Sequence, residues 1–263
     1  MAVDMGLKDR TALVLGGSRG LGLGVAAALS ARGAAVTLVG RDAGALAAAT
    51  AQLAANGGQA RAISADLAND AGVQLLLSGI AELGSPDILL LNGGGPPPFL
   101  AADVEPAAWR AQFEAMVVSQ MRVAACCLPA MRQRRWGRIL VVSSTSAREP
   151  IPGLAASNAL RASLAGWAKT LAGEVARDGI TVNLLLPGRF ATERTDRLDR
   201  LDALDRGVEQ AVIAAESQAE IPVGRYGTAA EFGAVAAFLA SDDASYVTGV
   251  AIPVDGGLSR SML

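Results

Sequence analysis

The sequence predicts an α/β fold in which helices cover both faces of a parallel β-sheet, and three observations lead to it. The chain has 263 residues, a length that one α/β domain can fill. Short apolar runs alternate with longer segments whose apolar residues recur at helical spacing. The runs are apolar on both faces, so each strand is expected to be buried on both sides. We therefore expect a single doubly wound, Rossmann-type domain over residues 1–263, with right-handed crossovers.

Six strands and five helices follow from this alternation. The predicted strands are Thr11–Leu15, 35–39, Ala60–Ser64, 87–91, Gly137–Val142 and 180–185. Four predicted helices are Ala43–Ala55, 69–83, 107–132 and 152–177. A fifth follows the first strand, where Leu21, Val25, Ala26 and Leu29 share one helical face. No linker or internal repeat interrupts this order.

Residues 192–224 depart from the alternation. They are rich in Arg, Asp and Ala, and their apolar residues near helical spacing are Leu198, Leu201, Leu204, Val208, Val212 and Ile213. The position of the segment, between the sixth strand and the last helix, predicts a helical lid over a substrate site. An ordinary amphipathic surface helix with solvated charges explains the same pattern, and both interpretations stay open.

Composition argues against several classes of function. The net charge is −2 with acidic and basic residues interspersed, so no basic face for nucleic acid is expected. No apolar stretch approaches the ~20 residues of a membrane span, and no secretory signal is visible, which predicts a cytoplasmic protein. The chain has no histidine, and the adjacent Cys126 and Cys127 lie in an apolar helical pattern typical of buried residues. We expect no metal site.

A glycine-rich segment after the first strand predicts a dinucleotide site. It reads Leu15-Gly16-Gly17-Ser18-Arg19-Gly20-Leu21-Gly22. Such a segment, placed between a strand and a helix, brings helix N-terminal amides close to a pyrophosphate. The alternative is that the glycines serve only a tight turn and close helix packing. A second glycine segment, which includes Gly93 and Gly94, follows the fourth strand, where ligands of open α/β sheets bind.

These segments together resemble the short-chain dehydrogenase/reductase family. The first is similar to the family's Thr-Gly-x-x-x-Gly-x-Gly loop, with Leu15 in the threonine position. Three further motifs resemble its adenine contact, its Asn-Asn-Ala-Gly element and its loop beside the nicotinamide; they are Asp66-Leu67, Leu91-Asn92-Gly93-Gly94 and Pro187-Gly188-Arg189-Phe190-Ala191-Thr192. The resemblance spans about residues 8–258. The cofactor-binding residues that it implies are Gly16, Ser18, Arg19, Gly20, Leu21, Gly22, Arg41, Asp66, Leu67, Asn92, Gly93, Gly94, Arg161, Pro187, Gly188 and Thr192.

The end of the second strand favours NADP(H) over NAD(H). It reads Val39-Gly40-Arg41-Asp42, with no acid at the strand's last position to bond both ribose hydroxyls. Arg41 is placed to face a 2′-phosphate instead, and Arg19 to supply a second guanidinium, whose planar fork suits phosphate oxygens. Two alternatives remain open: both arginines are solvated, or Asp42 turns onto the ribose.

The chemical residues depart from the family at three of four positions. The resemblance implies an asparagine, a serine, a tyrosine acid and a lysine that contacts the nicotinamide ribose and lowers the pKa of the tyrosine. Here the corresponding residues are Met116, Ser144, Ser157 and Arg161. A thioether is a poor partner for a relay water, and a serine hydroxyl is a far weaker acid than tyrosine, whose pKa is ~10. We expect the catalytic set Ser144, Ser157 and Arg161 to orient substrate and nicotinamide, with the usual proton relay lost.

No other residue is a convincing substitute for the tyrosine. Tyr226 and Tyr246 lie outside the helix of Ser157, and Lys169 lies about two helical turns beyond Arg161. Three charged residues flank the expected substrate mouth, namely Arg148, Glu149 and Arg189. Glu149 as the acid competes with the interpretation of a solvated loop carboxylate.

Three functions fit these residues. The preferred one is a divergent NADP(H)-dependent oxidoreductase acting on a carbonyl or another unsaturated group of a small molecule. The others are a redox-inactive relative that binds NADP(H) as a regulatory or binding module, and a non-redox isomerase or dehydratase in the same cleft. Fold alone does not choose among them.

Two apolar helical segments, 116–131 and 152–177, suggest self-association. In the family the corresponding helices commonly pair across subunits, which implies a homodimer or homotetramer. The alternative is that their apolar faces are covered within the monomer.

Overall fold

A computed structural model describes residues 6–97, 100–103 and 105–261 and places a seven-stranded parallel sheet at the centre. The strands are β1 Thr11–Leu15, β2 Ala35–Gly40, β3 Ala60–Ser64, β4 Ile88–Leu91, β5 Gly137–Val142, β6 Ile180–Pro187 and β7 Ala251–Val254. Their order across the sheet is β3-β2-β1-β4-β5-β6-β7. The chain moves to one side of β1 with β2 and β3 and then returns to the other side with β4. Ligands of such sheets bind beyond the carboxyl ends of the strands at this switch point.

Helices cover both faces of the sheet. They are α1 Gly20–Ala31, α2 Ala43–Ala55, α3 Asp70–Leu83, α4 Pro106–Phe113, α5 Ser119–Arg134, α6 Ala155–Val175, α7 Glu193–Arg206, α8 Gln210–Ala219 and α9 Ala229–Ala240. One buried cluster joins the sheet to α3, α5 and α6, and a second joins it to α1, α2 and α9. Successive residues of one strand enter opposite clusters, Leu13 the first and Val14 the second, as the pleat of a strand requires. Among the described helices none is both long and apolar enough to cross a lipid bilayer.

The doubly wound α/β fold is confirmed, and the structure adds two features to it. β7 was not predicted because it is short, only partly buried and carries Pro253. The predicted helix over 107–132 is interrupted between α4 and α5 by a π-helical turn, Glu114–Val118. This turn buries Met116 and Val117, and Ser119 Oγ donates to the carbonyl oxygen of Ala115 at 2.7 Å. Single π turns inside helices occur frequently at functional sites.

The segment 192–224 forms two helices, α7 and α8. A turn at Gly207, whose backbone φ is 65°, separates them. Its apolar residues do not hold it against the domain as their helical spacing suggested. Of the six, only Ile213 is buried, whereas Leu198, Leu201, Leu204, Val208 and Val212 are exposed. The buried residues of the segment are three polar ones, Thr195, Asp199 and Ser217, and three apolar ones, Ala203, Ile213 and Ile221. The segment is therefore anchored by polar and apolar residues alike.

Candidate functional site

The glycine-rich segment forms a close contact between β1 and α1. Gly16 and Gly20 have φ values of 61° and 55°, in the left-handed region that favours glycine. A Cβ at Gly22 would lie 2.8 Å from the carbonyl carbon of Gly16. Asn92, at the end of β4, donates from Nδ2 to the carbonyl oxygen of Leu15 at 3.1 Å. The glycines thus leave the backbone N–H groups at the start of α1 uncovered by side chains. Uncovered N–H groups at a helix N-terminus suit the pyrophosphate of a dinucleotide.

The residues after β2 leave Arg41 available to a phosphate. The side chain of Arg41 is 75% exposed, and its Nε lies 4.0 Å from Asp66 Oδ1. Asp42 instead caps α2 by accepting from the amide of Ala45 at 3.0 Å, and it pairs with Arg19 at 3.0 Å. The Ala45 amide and the Arg19 guanidinium hold the pKa of Asp42 below its usual value. Because Asp42 is engaged in this way, the ribose alternative for it loses support.

The remaining predicted cofactor residues lie at the carboxyl ends of β3, β4 and β6. Asp66 accepts from the amide of Ala68 at 3.1 Å, and Leu67 packs against the core. Gly93 and Gly94 continue the chain beyond Asn92. Pro187 ends β6, and the amide of Gly188 donates to the carbonyl oxygen of Val254 at 3.0 Å. All three loops therefore face the edge of the sheet at which the glycine-rich segment lies.

Ser18, Leu21 and Thr192 complete this set. Ser18 Oγ would be 3.4 Å from a Cβ at Gly40, so Ser18 lies beside the end of β2. Leu21 packs partly buried in the first turn of α1. Thr192 caps α7 by accepting from the amide of Thr195 at 3.4 Å.

The first turn of α7 lies directly over the glycine-rich segment. Arg19 pairs with Glu193 at 3.0 Å, and the Cγ2 of Thr192 would be 3.8 Å from a Cβ at Gly20. The glycine-rich segment, residues 16–22, is called the dinucleotide cradle below. Arg19 connects α7 on one side of this cradle with Asp42 on the other. Both ion pairs are exposed, and exposed pairs contribute only ~0–1 kcal/mol, so a phosphate can displace them at little cost.

Two of the predicted chemical residues, Ser144 and Arg161, lie at the end of β5. Ser144 Oγ accepts from the amide of Ser146 at 3.1 Å, which leaves its own proton free to donate to a ligand. Ser157 and Arg161 lie one turn apart on the buried side of α6. Asn158 faces elsewhere, because its amide group closes the loop before α6 through two bonds to the backbone of Ile151. The geometry thus supports the frame that aligns Ser157 and Arg161 with the tyrosine and lysine positions.

Arg161 is a buried cation that pairs with no carboxylate among the described residues. It is 6% exposed, and its Nη1 donates to the carbonyl oxygen of Val142 at 2.7 Å. Its Nε has no hydrogen-bond partner among the described residues. Burial, and secondarily the positive charge of Arg194, lower the pKa of Arg161 to about 10. The guanidinium therefore stays protonated at neutral pH and has a donor to offer.

Two neighbours of this site were missed by the sequence analysis. Arg194, in the first turn of α7, reaches the loop after β4, where a Cβ at Gly95 would lie 2.8 Å from its guanidinium carbon. Gln120 is 2% exposed, its Oε1 has no partner among the described residues, and its Nε2 lies next to Gly93. The sequence did offer a signal for Gln120, namely a polar residue within a predicted apolar helix. Nothing local in the sequence marked Arg194, which reaches the site only through the fold.

Three other charged candidates, Glu149, Arg148 and Lys169, are hydrogen-bonded to the backbone. Glu149 accepts from the amides of Arg260 and Ser261, and Arg148 donates to the carbonyl oxygen of Ala251 at 2.7 Å. Lys169 donates to the carbonyl oxygen of Gly249 at 2.8 Å. These contacts tie Glu149, Arg148 and Lys169 to the C-terminal part of the chain, which weakens the hypothesis that Glu149 is the acid.

Arg189 and Tyr226 meet at a buried carboxylate. Asp199 is 2% exposed, and it accepts from Tyr226 Oη at 2.7 Å and from Arg189 Nη1 at 3.3 Å. Burial, and then the bond to Asp199, raise the pKa of Tyr226. A tyrosine so placed is a poorer acid than an exposed one, and its contacts join α7 to the segment before α9.

Comparison with known proteins agrees with this geometry. The family model described as enoyl-(acyl carrier protein) reductase matches residues 16–259. The chain is 34% identical over 255 residues to the 3-oxoacyl-[acyl-carrier-protein] reductase FabG of Escherichia coli K12, covering 97% of this chain and 99% of that protein.

Two solved structures share the fold. L-Sorbose reductase from Gluconobacter frateurii, complexed with NADPH and L-sorbose, superposes with a TM-score of 0.93 at 29% identity, covering 99% of this chain and 100% of that one. The 3-oxoacyl (acyl-carrier-protein) reductase of Agrobacterium tumefaciens C58, with NADP bound, gives a TM-score of 0.87 at 29% identity, covering 97% and 96%. Because these relatives bind NADPH or NADP, the expectation of NADP(H) as the cofactor is confirmed.

Proposed function

Since the chain belongs to the short-chain dehydrogenase/reductase family, we propose that it is an NADP(H)-dependent oxidoreductase that works without the family's tyrosine acid. Its substrate is a small molecule with a carbonyl or another unsaturated group. The observation that carries the proposal is the combination of a bare dinucleotide cradle with Ser144 and Arg161 at its chemical end.

The residues of the chain supply binding and charge in this proposal. NADPH, when bound, supplies the hydride. Arg41 faces the 2′-phosphate, the amides at the start of α1 face the pyrophosphate, and Arg161 donates to the nicotinamide ribose. Ser144 donates its free hydroxyl proton to the carbonyl oxygen of the substrate, and Ser157 adds a second hydroxyl on the same side.

Charge stabilisation takes the place of acid catalysis at the substrate oxygen. The guanidinium of Arg161 stays positive at neutral pH, since its pKa is about 10, and it favours negative charge on the oxygen as the carbonyl accepts hydride. The proton that completes the alcohol comes from water. A positioned acid is typically worth ~10²- to 10⁴-fold in rate, so we expect turnover lower than that of a tyrosine-containing relative by a factor in that range.

A redox-inactive dinucleotide-binding protein is the second candidate. Two observations favour it. Met116 is 4% exposed and places a thioether where the family has an asparagine, and Ser157 is 8% exposed and cannot reach as far as a tyrosine. The cradle itself is unaffected by either residue, so binding without turnover is a coherent outcome.

Cofactor binding is the first experiment. We expect calorimetry to show tighter binding of NADPH than of NADH, because only NADPH offers the 2′-phosphate to Arg41. Arg41→Ala should weaken NADPH binding by about tenfold or more, the value of one charge-assisted contact, and leave NADH binding unchanged. Arg177→Ala, a substitution in the short 3₁₀ turn after α6, is the matched control. Equal affinity for NADPH and NADH in the unaltered protein would overturn the preference.

Turnover is tested on the same sample by loss of the reduced nicotinamide absorbance. The panel includes a 3-oxoacyl thioester and a ketose, because relatives are named for reducing such compounds, together with enones and imines. Ser144→Ala should lower the rate by about tenfold or more with NADPH affinity unchanged, and Ser157→Ala should lower it less. Binding without oxidation of NADPH by any compound would favour the redox-inactive candidate.

A further inference from the structure

Glu149 lies in the loop after β5, five residues beyond Ser144, and it contacts the segment after β7. We propose that Glu149 is a positioning residue of the reaction, because it fastens the loop of Ser144 to residues 255–261, here named the C-terminal segment. In this role Glu149 acts through an acceptor oxygen and not through its charge or a proton. The inference rests on the proposed oxidoreductase function and adds a residue to its site.

One oxygen of Glu149 makes both contacts with the C-terminal segment. The amides of Arg260 and Ser261 donate to Oε1, the former at 3.1 Å. Hydrogen bonds to a carboxylate oxygen are charge-assisted and stronger than bonds between neutral groups. A glutamine at this position offers one carboxamide oxygen to the same two amides, whereas an alanine offers none. Glutamine therefore keeps the acceptor and removes the charge.

Backbone hydrogen bonds connect Glu149 with Ser144. The amide of Ala147 donates to the carbonyl oxygen of Ser144 at 3.1 Å. The amides of Arg148 and Glu149 both donate to the carbonyl oxygen of Thr145, at 2.9 and 3.1 Å. Residues 144–149 thus form one hydrogen-bonded turn, so Ser144 and Glu149 are expected to move together.

Asp255 shapes the C-terminal segment. Its carboxylate accepts from the amide of Gly257 at 2.9 Å, and from the amide and the hydroxyl of Ser259 at 2.9 and 2.6 Å. These three bonds hold residues 255–259 in one turn, immediately before the two amides that Glu149 binds. The segment is therefore ordered by its own contacts at one end and by Glu149 at the other.

The same turn packs against residues 187–192, the predicted nicotinamide loop. A Cβ at Gly188 would lie 2.6 Å from the Cβ of Asp255, so Asp255 occupies the space that a side chain at Gly188 would need. The amide of Gly188 also donates to the carbonyl oxygen of Val254 at 3.0 Å. The C-terminal segment therefore contacts the nicotinamide loop through Asp255 and the loop of Ser144 through Glu149.

The distance between these two loops matters for the proposed reaction. Ser144 donates to the substrate oxygen, while the nicotinamide loop lies beside the cofactor. A misplacement of reacting groups by about 1 Å can lower the rate by ~10²-fold. A segment that contacts both loops is therefore placed to fix the substrate oxygen relative to the hydride donor.

Two substitutions of Glu149 test the inference by turnover. With the compound of the panel that oxidises NADPH fastest, Glu149→Ala should lower kcat by about 10- to 100-fold and leave the affinity for NADPH unchanged. Glu149→Gln should keep most of kcat and the same pH profile of kcat as the unaltered protein, because the acceptor oxygen remains. Glu82→Ala, which removes an exposed carboxylate from α3, is the control and should change neither quantity.

The glutamine variant separates positioning from acid catalysis. If Glu149→Gln loses as much kcat as Glu149→Ala, Glu149 acts through its charge or a proton and the inference is overturned. It is also overturned if Glu149→Ala keeps the kcat of the unaltered protein. Thermal unfolding shows whether each variant is folded at the assay temperature. Ser261→Pro removes one of the two N–H donors from the other side of the contact, so it should reproduce the loss and replaces Glu149→Ala if that variant does not fold.

Hydrogen exchange tests the contact without turnover. With and without NADP⁺, Glu149→Ala should raise exchange in peptides that cover residues 143–151 and 187–192, and Glu149→Gln should not. A rise confined to residues 258–261 would show that Glu149 only tethers the C-terminal segment, which overturns the inference. If the unaltered protein oxidises NADPH with no compound of the panel, the proposed oxidoreductase function fails, and exchange alone decides whether Glu149 holds the two loops together.

Discussion

At the scale of single residues, Arg161 is expected to bind the cofactor and at the same time to lower the stability of the folded protein. A buried cation that lacks a counter-charge destabilises the folded state, and replacing it by an apolar side chain of similar length removes that cost. We expect Arg161→Met to raise the free energy of unfolding by about 1–3 kcal/mol while NADPH affinity falls. Urea unfolding at neutral pH, beside calorimetric titration, measures both effects.

The pH dependence of this gain follows from the lowered pKa. The folded protein releases the Arg161 proton near pH 10, before the unfolded chain does. The cost of the charge is therefore fully present below pH 10 and declines as the pH rises through it. The advantage of Arg161→Met should shrink over that interval. A destabilised Arg161→Met at neutral pH would show that the guanidinium is compensated.

Arg138 is the matched control, because it is equally buried but well partnered. It is 2% exposed, it pairs with Asp242 at 3.1 Å, and its guanidinium stacks 4.3 Å from the ring of Trp136. Arg138→Met should therefore lower the free energy of unfolding by about 1–3 kcal/mol, the sum of a hydrogen bond and a cation–π contact. The two buried arginines are expected to respond with opposite signs.

Gly22 allows a sharper test of the dinucleotide cradle than a charge change does. Its missing side chain lets α1 start against Gly16, whose carbonyl carbon would be 2.8 Å from an added Cβ. Backbone atoms cannot move aside as a flexible side chain can, so Gly22→Ala should displace the start of the helix and cost about 1–3 kcal/mol. We expect at least a tenfold loss of NADPH affinity by calorimetry. Gly44→Ala, where the nearest atom is 3.5 Å away, should leave the affinity unchanged.

At the scale of elements, polar contacts at Asp199 hold α7 in place. The carboxylate is buried and joins Tyr226 and Arg189, which lie outside the helix. Tyr226→Phe should lower the free energy of unfolding by about 1.5–3 kcal/mol, the value of a hydrogen bond to a charged group. Hydrogen exchange should also rise within α7. Tyr246→Phe is the control, because that ring is fully exposed.

The sign of the pH effect at Tyr226 is opposite to that at a salt-bridged carboxylate. Burial and the bond to Asp199 raise the pKa of Tyr226, so its contribution to stability is present below the usual pKa of ~10 and is lost as the pH rises through the raised value. The stability difference between the unaltered protein and Tyr226→Phe should disappear in that alkaline interval. A difference that persists there would point to packing rather than to the hydroxyl.

Local patterns explain which elements the sequence could predict. β1, β3, β5 and α2 have the predicted bounds. β1 and β5 are short apolar runs, and α2 shows helical spacing after Asp42, its N-cap. β7 was missed because a four-residue edge strand with a proline has no period to read. The π-helical turn was missed because helical spacing is the same on either side of one inserted residue.

In the candidate site, too, the residues that lie close together in the sequence were predicted, and those brought together only by the fold were not. The cradle at Gly16, Gly20 and Gly22 is local in sequence, so its spacing predicted it. Arg194 reaches Gly95 across the cleft from α7, and the Asp199 cluster joins residues far apart in the chain. Contacts of this kind depend on where whole elements pack, which no short pattern reports.

At the scale of the whole molecule, the exposed face of α6 carries a row of small residues beside the polar Lys169, Thr170 and Glu174. Its exposed positions include four small residues at helical spacing, Ala159, Ala162, Gly166 and Gly173. Small residues let two helix backbones approach closely, and they leave few polar groups to be desolvated. This face lies within the segment whose composition predicts self-association, so we expect α6 to pack against the α6 of a second subunit.

A bulky charge on this face tests the assembly. Light scattering should give a mass near two or four times 26.6 kDa for the unaltered protein, and Gly166→Arg should reduce it to that of a monomer, because a buried guanidinium between helices has no partner. Ala48→Arg, on the exposed side of α2, adds the same charge away from α6 and should leave the mass unchanged. A monomeric unaltered protein at micromolar concentration would contradict the prediction. If instead Gly166→Arg keeps the assembled mass, the subunits pair through another surface, and the exposed apolar residues of α7, Leu201 and Leu204, become the next positions to substitute.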